Sequence, residues 1–274
     1  MINRYTVIGQ PIAHSLSPVV HQLFGELTQR KIHYTRTEST PQTFAKTVHD
    51  WKESGANGCN VTSPFKELAF GVCERLSNEA QRAGAVNTIH MRQDGVLAGH
   101  TTDGAGIVTD IVRNKRYEIN TKRVLVLGAG GAARGVMQAI LAQDPALLHV
   151  ANRTTAKALQ LADLFADLGP VSAGGYQQLD ELDSFDIVIN ATTLGMTGTM
   201  PDLPQQLINQ GALAYDMTYA SRDTAFMEWG RARQASVCNG LGMLVEQAAE
   251  SFLIWEGVRP KTRMVYPRLS EMLG

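Results

Sequence analysis

Four sets of side chains in this sequence have the types and the spacing to do chemistry. The first is Gly128-x-Gly130-x-x-Ala133, entered directly from Val124, Leu125, Val126 and Leu127. Four apolar residues without polar alternation suit a strand buried on both faces of a parallel sheet. Glycines in that place suit a strand-to-helix turn that carries a dinucleotide. Gly128 permits the turn, Gly130 lets a pyrophosphate approach the backbone, and Ala133 lets helix and strand pack closely. The stretch Gly128, Ala129, Gly130, Gly131 and Ala132 then offers helix N-terminal N–H groups to phosphate. Taken alone, the motif also fits a purely structural glycine turn.

The second set lies at the tip of the next apolar strand, Leu147–Ala151, which runs into Asn152, Arg153 and Thr154 with Lys157 a turn further on. An NAD site places an acidic residue about 20 residues beyond the glycines, to take the ribose 2′-hydroxyl. Here a cation and a hydroxyl stand there instead, a set suited to the 2′-phosphate of NADP. The order strand, glycine turn, helix, strand, basic tip favours that reading over a solvated loop arginine. The third set is Ser15 and Ser17 in the polar loop 9–18, which serve equally as turn and cap chemistry, with Ser17 and Pro18 as an N-cap and N1 pair. The fourth is Asn60, Thr62 and Lys66, where Pro64 breaks a short strand, together with Asp103 after Thr102. Lys66 alone reads as a solvated surface lysine and Asp103 as a helix cap.

The elements that must hold these residues alternate strand and helix. A strand at 6–8 precedes a helix over 18–30 with Val20, Leu23, Phe24 and Leu27 on one face, and a strand at 33–37 precedes a helix carrying Phe44, Val48 and Trp51 that ends at Gly55. Residues 85–89 and 96–100 form a hairpin closed by Asp94-Gly95, before a helix over 104–113. After the glycine turn, a helix over 155–168 turns Leu159, Ala162 and Phe165 inward, and Phe185–Asn190 is another buried strand. It opens through Gly195 and Met196 into a loop reaching Pro204, and a further strand covers 212–216. A helix over 242–256 places Leu244, Gln247, Ala248 and Trp255 on nearly one face. The fold class is α/β: an N-terminal α/β substrate domain plus a doubly wound Rossmann-type domain, with C-terminal helices returning to the first domain. The motif order divides the chain into 1–103, 104–237 and 238–274.

With 274 residues and a formal net charge of −1, the chain shows neither a basic footprint for nucleic acid nor a polybasic segment for membranes. No apolar run reaches the roughly 18 residues of a membrane span, so a cytoplasmic enzyme of small molecules is expected. Cys59, Cys73 and Cys238 are odd in number and far apart, and the seven histidines lack ligand spacing, so neither disulfides nor a metal are expected.

Taken together, Gly-Gln-Pro-Ile-Ala-His-Ser-Leu-Ser-Pro at 9–18, Asn-Val-Thr-Ser-Pro-Phe-Lys at 60–66, Gly-Ala-Val-Asn-Thr at 84–88, Thr-Asp-Gly at 102–104, Gly-Ala-Gly-Gly-Ala at 128–132, Asn-Arg-Thr at 152–154 and Gly-Leu-Gly-Met-Leu at 240–244 resemble shikimate dehydrogenases over essentially the whole chain. That resemblance implies NADPH-dependent reduction of 3-dehydroshikimate to shikimate; a monomer or homodimer is expected. It implies that Ser15 and Ser17 hold the substrate carboxylate, that Lys66 and Asp103 are the catalytic pair, and that Asn60, Thr62, Asn87, Thr102, Asp103 and Gln247 bind the hydroxyls or frame the ring, with Tyr219 nearby. It further implies Met217 and Gly240 near the nicotinamide, and Arg153 and Thr154 on the 2′-phosphate. The chain departs from the family's common pattern at Thr101 and at Asn239, which bears on fine specificity. A quinate/shikimate dehydrogenase is disfavoured by Arg153 and the missing acid, and a non-catalytic NADPH sensor by the presence of both Lys66 and Asp103. A short-chain dehydrogenase is ruled out, since no Tyr-x-x-x-Lys occurs.

Overall fold

The last five residues of the first strand, β1 (Asn3–Gly9), are buried without alternation because the strand is paired on both edges. It runs parallel to β2 (Ile32–Glu38) and to β3 (Gly58–Val61). The short β4 (Arg75–Leu76) pairs with β6 (Leu97–His100), and β5 (Thr88–Met91) joins β6 in the expected hairpin, with Gly95 at φ +82° in the turn. The six strands lie in the order β2-β1-β3-β5-β6-β4. Their helices are α1 (Ser17–Thr28), α2 (Phe44–Glu53), α3 (Lys66–Val72), α4 (Asn78–Ala83) and α5 (Asp103–Thr109). Phe44, Val48, Phe65, Ile89 and Leu97 fill the core beneath α2 and α3. The computed structural model describes residues 2–194, 199–219 and 222–273.

The second sheet is built from β7 (Arg123–Leu127), β8 (Leu147–Asn152), β9 (Val171–Gly175), β10 (Phe185–Asn190), β11 (Ile208–Asp216) and β12 (Ser236–Cys238), all parallel, in the order β12-β11-β10-β7-β8-β9. Numbered from β7, this is the 3-2-1-4-5-6 order of the doubly wound dinucleotide-binding fold. Val124, Leu125, Val126 and Leu127 are completely buried, as their unalternating run predicts. The crossovers include α6 (Gly131–Leu141), α7 (Thr155–Phe165) and α8 (Ala225–Arg231), and the chain closes with α9 (Leu241–Glu256) and α10 (Tyr266–Leu273). Residues up to Gly106 together with Leu244–Met272 form one compact unit, and Ile107–Met243 form the other. In the first unit α9 packs on β1: the Trp255 ring stacks on Tyr5 at 4.4 Å and its Nε1 donates to the Ile89 carbonyl at 3.1 Å.

Three sequence expectations fail locally. Leu27 is 43% exposed near the end of α1, whose buried face is made by Val20, His21, Leu23 and Phe24. Ser17 does not cap α1; it is the first helical residue, and the cap position falls to Leu16, whose side chain makes no cap hydrogen bond. The Ser15 hydroxyl takes over, accepting from the Ser17 N–H at 3.3 Å. Leu159 points outward at 48% exposure, and Ala158, Leu161, Ala162 and Phe165 form the buried face of α7. The helix begins at Thr155, and the sheet contact is made by that small-residue stripe rather than by the longer leucine. Gly195 and Met196 of the loop after β10 lie outside the described residues.

Candidate active site

The carboxyl ends of β3 and β6 and the amino end of β5, which runs antiparallel to both, bring one polar cluster together, with α9 supplying its back wall. Lys66 opens α3 directly after the β3 loop, and Asp103 opens α5 after β6. The Lys66 Nζ donates to Asp103 Oδ2 at 2.5 Å, with side-chain exposures of only 14% and 5%. Lys66 is therefore no solvated surface lysine. A mostly buried ion pair is tolerated only when its remaining lone pairs are also satisfied. Here the other Asp103 oxygen accepts from Asn87 Nδ2 at 2.9 Å.

Asn87 is the junction of the cluster. Its Oδ1 accepts from the Thr102 N–H at 2.9 Å and from the Thr88 hydroxyl at 2.9 Å, while Nδ2 also reaches Gln247 Oε1 at 3.2 Å. Gln247 in turn donates from Nε2 to the Leu244 carbonyl at 2.9 Å, which fixes its oxygen toward Asn87 and Thr102. The Asn60 carboxamide is spoken for within the protein. Its Oδ1 accepts from the Tyr34 hydroxyl at 2.7 Å and its Nδ2 donates to Ser251 Oγ at 2.9 Å and the Asn87 carbonyl at 3.2 Å. Thr62 is half-buried, with its N–H on the Ile8 carbonyl and its methyl against Gly9.

Ser15 and Ser17 are both buried, and the Ser15 hydroxyl donates to Ser17 Oγ at 3.2 Å. The loop that carries them is clamped by Arg36 on β2, whose Nε and Nη2 donate to the Ser15 carbonyl at 2.8 and 2.5 Å. Behind them His21 stacks on Tyr34 at 4.3 Å. Burial pushes this histidine down to about 3, against a smaller opposing pull from Asn60. The Tyr34 phenol is pushed well up by burial and by neighbouring Cys59, against a smaller lowering by a hydrogen bond from Ser17. Sequence reasoning missed Tyr34, Thr88, Ser251 and Arg36. Thr88 completes the Gly-Ala-Val-Asn-Thr block, and Ser251 lies one helical turn after Gln247, so both could have been found.

In the second unit the glycine turn lies at the end of β7, between β8 and β10, where the strand order reverses. Gly128 has φ +110° with the Ala191 carbonyl against it, so an L side chain is excluded by both backbone and space. A Cβ on Gly130 would meet nothing within 4 Å, and α6 starts at Gly131 with its first-turn N–H groups facing that open ground. Ala129 is buried and Gly131 and Ala132 are half-buried. This is the cradle a pyrophosphate needs, so the residues present fit a dinucleotide. At the tip of β8, Asn152 Nδ2 donates to the Thr154 carbonyl at 3.0 Å, and Arg153, Thr154 and Lys157 are exposed. Met217 and Gly240 meet: the Gly240 N–H donates to the Thr218 carbonyl at 3.0 Å, and any Cβ there would strike the Met217 backbone. Tyr219 follows β11 in this unit and is half-buried. Buried Asn190 and Asp216, at the ends of β10 and β11, hold the adjoining loops. Asn190 Oδ1 accepts from the Thr192 hydroxyl at 2.7 Å, and Asp216 Oδ2 from the Thr224 hydroxyl at 2.6 Å.

Comparison with known proteins accounts for both units. Residues 7–89 match the model of the shikimate dehydrogenase substrate binding domain, 110–197 that of shikimate / quinate 5-dehydrogenase, and 240–264 that of the shikimate 5′-dehydrogenase C-terminal domain. The shikimate dehydrogenase (NADP(+)) of Aeromonas salmonicida is 48% identical over 100% of this chain and 99% of its own length. The crystal structure of an Ael1 enzyme from Pseudomonas putida is similar at TM-score 0.90 and 40% identity, covering 98% of both chains. That of the shikimate 5-dehydrogenase from Thermus thermophilus in complex with shikimate is similar at TM-score 0.86 and 31% identity, covering 99% of both. A chain matched from end to end by these relatives, with an α/β unit carrying a buried lysine–aspartate pair and a doubly wound unit carrying the glycine turn, belongs to the shikimate dehydrogenase family.

Proposed function

We propose that this protein catalyses the reversible NADPH-dependent reduction of 3-dehydroshikimate to shikimate, a step toward the aromatic amino acids. The observation that carries the reading is the Lys66–Asp103 pair at 2.5 Å inside a cluster of amides and hydroxyls. Bound NADPH supplies the hydride that reduces the ring ketone. Negative charge then develops on the carbonyl oxygen, and an ammonium placed there stabilises the transition state more than the ground state. Lys66 donates the proton as general acid, while Asp103 orients its ammonium and accepts from the ring hydroxyls. Asn87, Thr102 and Gln247 fix the Asp103 carboxylate and present polar edges to the ring, with Asn60 and Thr62 framing it. Ser15 and Ser17 donate to the substrate carboxylate. The glycine turn from Gly128 to Ala132 takes the pyrophosphate, Asn152, Arg153, Thr154 and Lys157 take the 2′-phosphate, and Met217 and Gly240 border the nicotinamide.

The reading includes a monomer or homodimer working in the cytoplasm on small molecules, and the near-neutral charge supports neither nucleic acid nor a membrane surface as partner. Among the described residues no helix is long and apolar enough to cross a membrane. The test is to follow NADPH consumption with 3-dehydroshikimate and, separately, with 3-dehydroquinate. Rapid consumption with the first alone is the expected result. Preference for the second would make the protein a quinate dehydrogenase, and NADPH binding without turnover of either would make it a sensor.

A further inference from the structure

Thr88 and Ser251 have no part in the chemistry described so far, yet both side chains are completely buried directly behind it. Counting hydrogens fixes the direction of the bonds that link them to their neighbours. The Asn87 oxygen is identified by the Thr102 backbone N–H, which can only donate, so Asn87 Nδ2 faces Asp103. Thr88 gives its single hydrogen to Asn87 Oδ1 at 2.9 Å. Its 2.7 Å contact with Ser251 must therefore carry the Ser251 hydrogen, which the more distant Gln247 carbonyl at 3.1 Å also faces. Ser251 then has only lone pairs to offer Asn60 Nδ2 at 2.9 Å, and Asn60 Oδ1 accepts from Tyr34 at 2.7 Å. Asn60 Nδ2 also donates directly to Thr88 Oγ1 at 3.1 Å, so the bonds run one way from Tyr34 through Asn60 to Thr88, both directly and by way of Ser251, and on through Asn87 to the carboxylate of Asp103.

We propose that Thr88 and Ser251 are a pair of positioning residues, whose hydroxyls link the Asn60 and Asn87 carboxamides in one directed chain that holds Asp103 in place for Lys66. Each donor in such a chain polarises the next, so the Asn87 N–H facing Asp103 is a stronger donor than an isolated amide. The two links also tie three elements together, since Asn60 lies on β3, Thr88 on β5 and Ser251 on α9. Both routes from Asn60 pass through Thr88, so a cut there removes most of what the chain does, and a further cut at Ser251 adds little.

The inference rests on the role given to Asp103 above, and its test separates the two. Thr88→Val keeps shape and removes the hydroxyl, Thr88→Ser keeps the hydroxyl, and Ser251→Ala removes the second link. Thr88→Val is expected to lower kcat about three- to tenfold and Ser251→Ala by less, since the direct Asn60–Thr88 bond survives it, with KM for shikimate and Kd for NADP within about twofold in both, the double variant to fall no further than Thr88→Val, and Thr88→Ser to return to within about twofold of wild type. Multiplicative losses, wild-type kcat in both single variants, or a Thr88→Ser enzyme as slow as Thr88→Val would overturn it. A second readout needs no turnover: the side-chain amide resonance of Asn87 in the substrate-free protein should move in Thr88→Val. An unmoved resonance overturns the chain itself, a moved resonance with wild-type kcat overturns its positioning of Asp103, and wild-type kcat in Asp103→Asn would instead overturn the role given to Asp103 in the proposed function.

Discussion

The two candidate sites are built on opposite plans. In the first unit the polar groups of the cluster are tied to one another: Lys66 with Asp103, Asp103 with Asn87, Asn87 with Thr88, Thr102 and Gln247, most of them nearly free of solvent. In the second unit Arg153, Thr154 and Lys157 stand in solvent and Gly130 faces open ground. The difference follows from what each site must do. An acid/base pair works only if it is held within a fraction of an ångström of its productive geometry, which costs nothing further at the moment of reaction when the protein has fixed it beforehand. A phosphate is recognised by charge and by backbone N–H groups, and what it needs from the protein is unobstructed approach. Preorganisation and open access are thus two answers to two chemical demands.

The comparison predicts where substitutions act. Lys66→Ala should break the first site most deeply, lowering kcat by about 10²- to 10⁴-fold, or roughly 3–5 kcal/mol of barrier, while NADP binding is nearly unchanged. A wild-type kcat with raised KM in that variant would make Lys66 a binding residue only. Arg153→Ala should act on the second site alone. Its charge-assisted contact is worth about 1.5–3 kcal/mol, so the preference for NADP over NAD should shrink by about 10- to 150-fold with kcat at saturating cofactor little altered. Kd values for both cofactors in the variant decide this.

A third prediction concerns the one respect in which the units are alike, since each buries a neutral histidine. His21 is pushed down to about 3 by burial, and His149, bonded to Ser172 at 2.7 Å, down to about 4 by burial and the Arg123 charge. The unfolded chain takes up these protons near its ordinary histidine value of about 6.5, where the native chain does not. Stability is therefore complete above that pH and falls progressively as the pH drops toward the folded values. Between about pH 8 and about pH 5 each ring should account for about 2 kcal/mol of lost stability. His21→Gln should remove one such share of the acid slope in a series of Tm measurements, and an unchanged slope would show that His21 titrates normally. The smallest effect belongs to Arg36→Ala. Releasing the Ser15 carbonyl should loosen the serine loop and raise KM for shikimate by about fivefold, near ~1 kcal/mol, with kcat unchanged. A kcat loss larger than the KM change would tie Arg36 to the acid/base pair instead.

Much of this was legible in the sequence, for reasons that differ between the units. The buried run Val124–Leu127 and its glycines announce themselves, because a parallel strand buried on both faces and a turn at φ +110° each admit few residue types. The polar cluster has no such local signature: Lys66, Asn87 and Asp103 are brought together by the antiparallel pairing of β5 with β3 and β6, and only the ordered motif blocks pointed to them. The Ser17 cap failed because two serines compete for one helix end, and which hydroxyl turns toward the N–H is decided by the loop. The inward face of α7 was misplaced at Leu159 because Ala158 and Ala162 bury more closely against a sheet than their size suggests. Thr88 and Ser251 were missed because the bond between them spans 163 residues.

That separation has a consequence for synthesis on the ribosome. The first unit is assembled from two pieces of chain, residues up to Gly106 and Leu244–Met272, with the whole of the second unit between them. The second unit is continuous and can close as soon as it emerges, whereas the first must wait for α9 to bring Gln247, Ser251 and Trp255. Until then β1 lacks the Trp255 ring that covers Tyr5, and Asn60, Thr88 and Asn87 lack their partners on that helix. A nascent chain arrested before residue 244 therefore carries every residue of the glycine-turn unit, but a first unit in which Lys66 and Asp103 still lack the helix that backs their cluster.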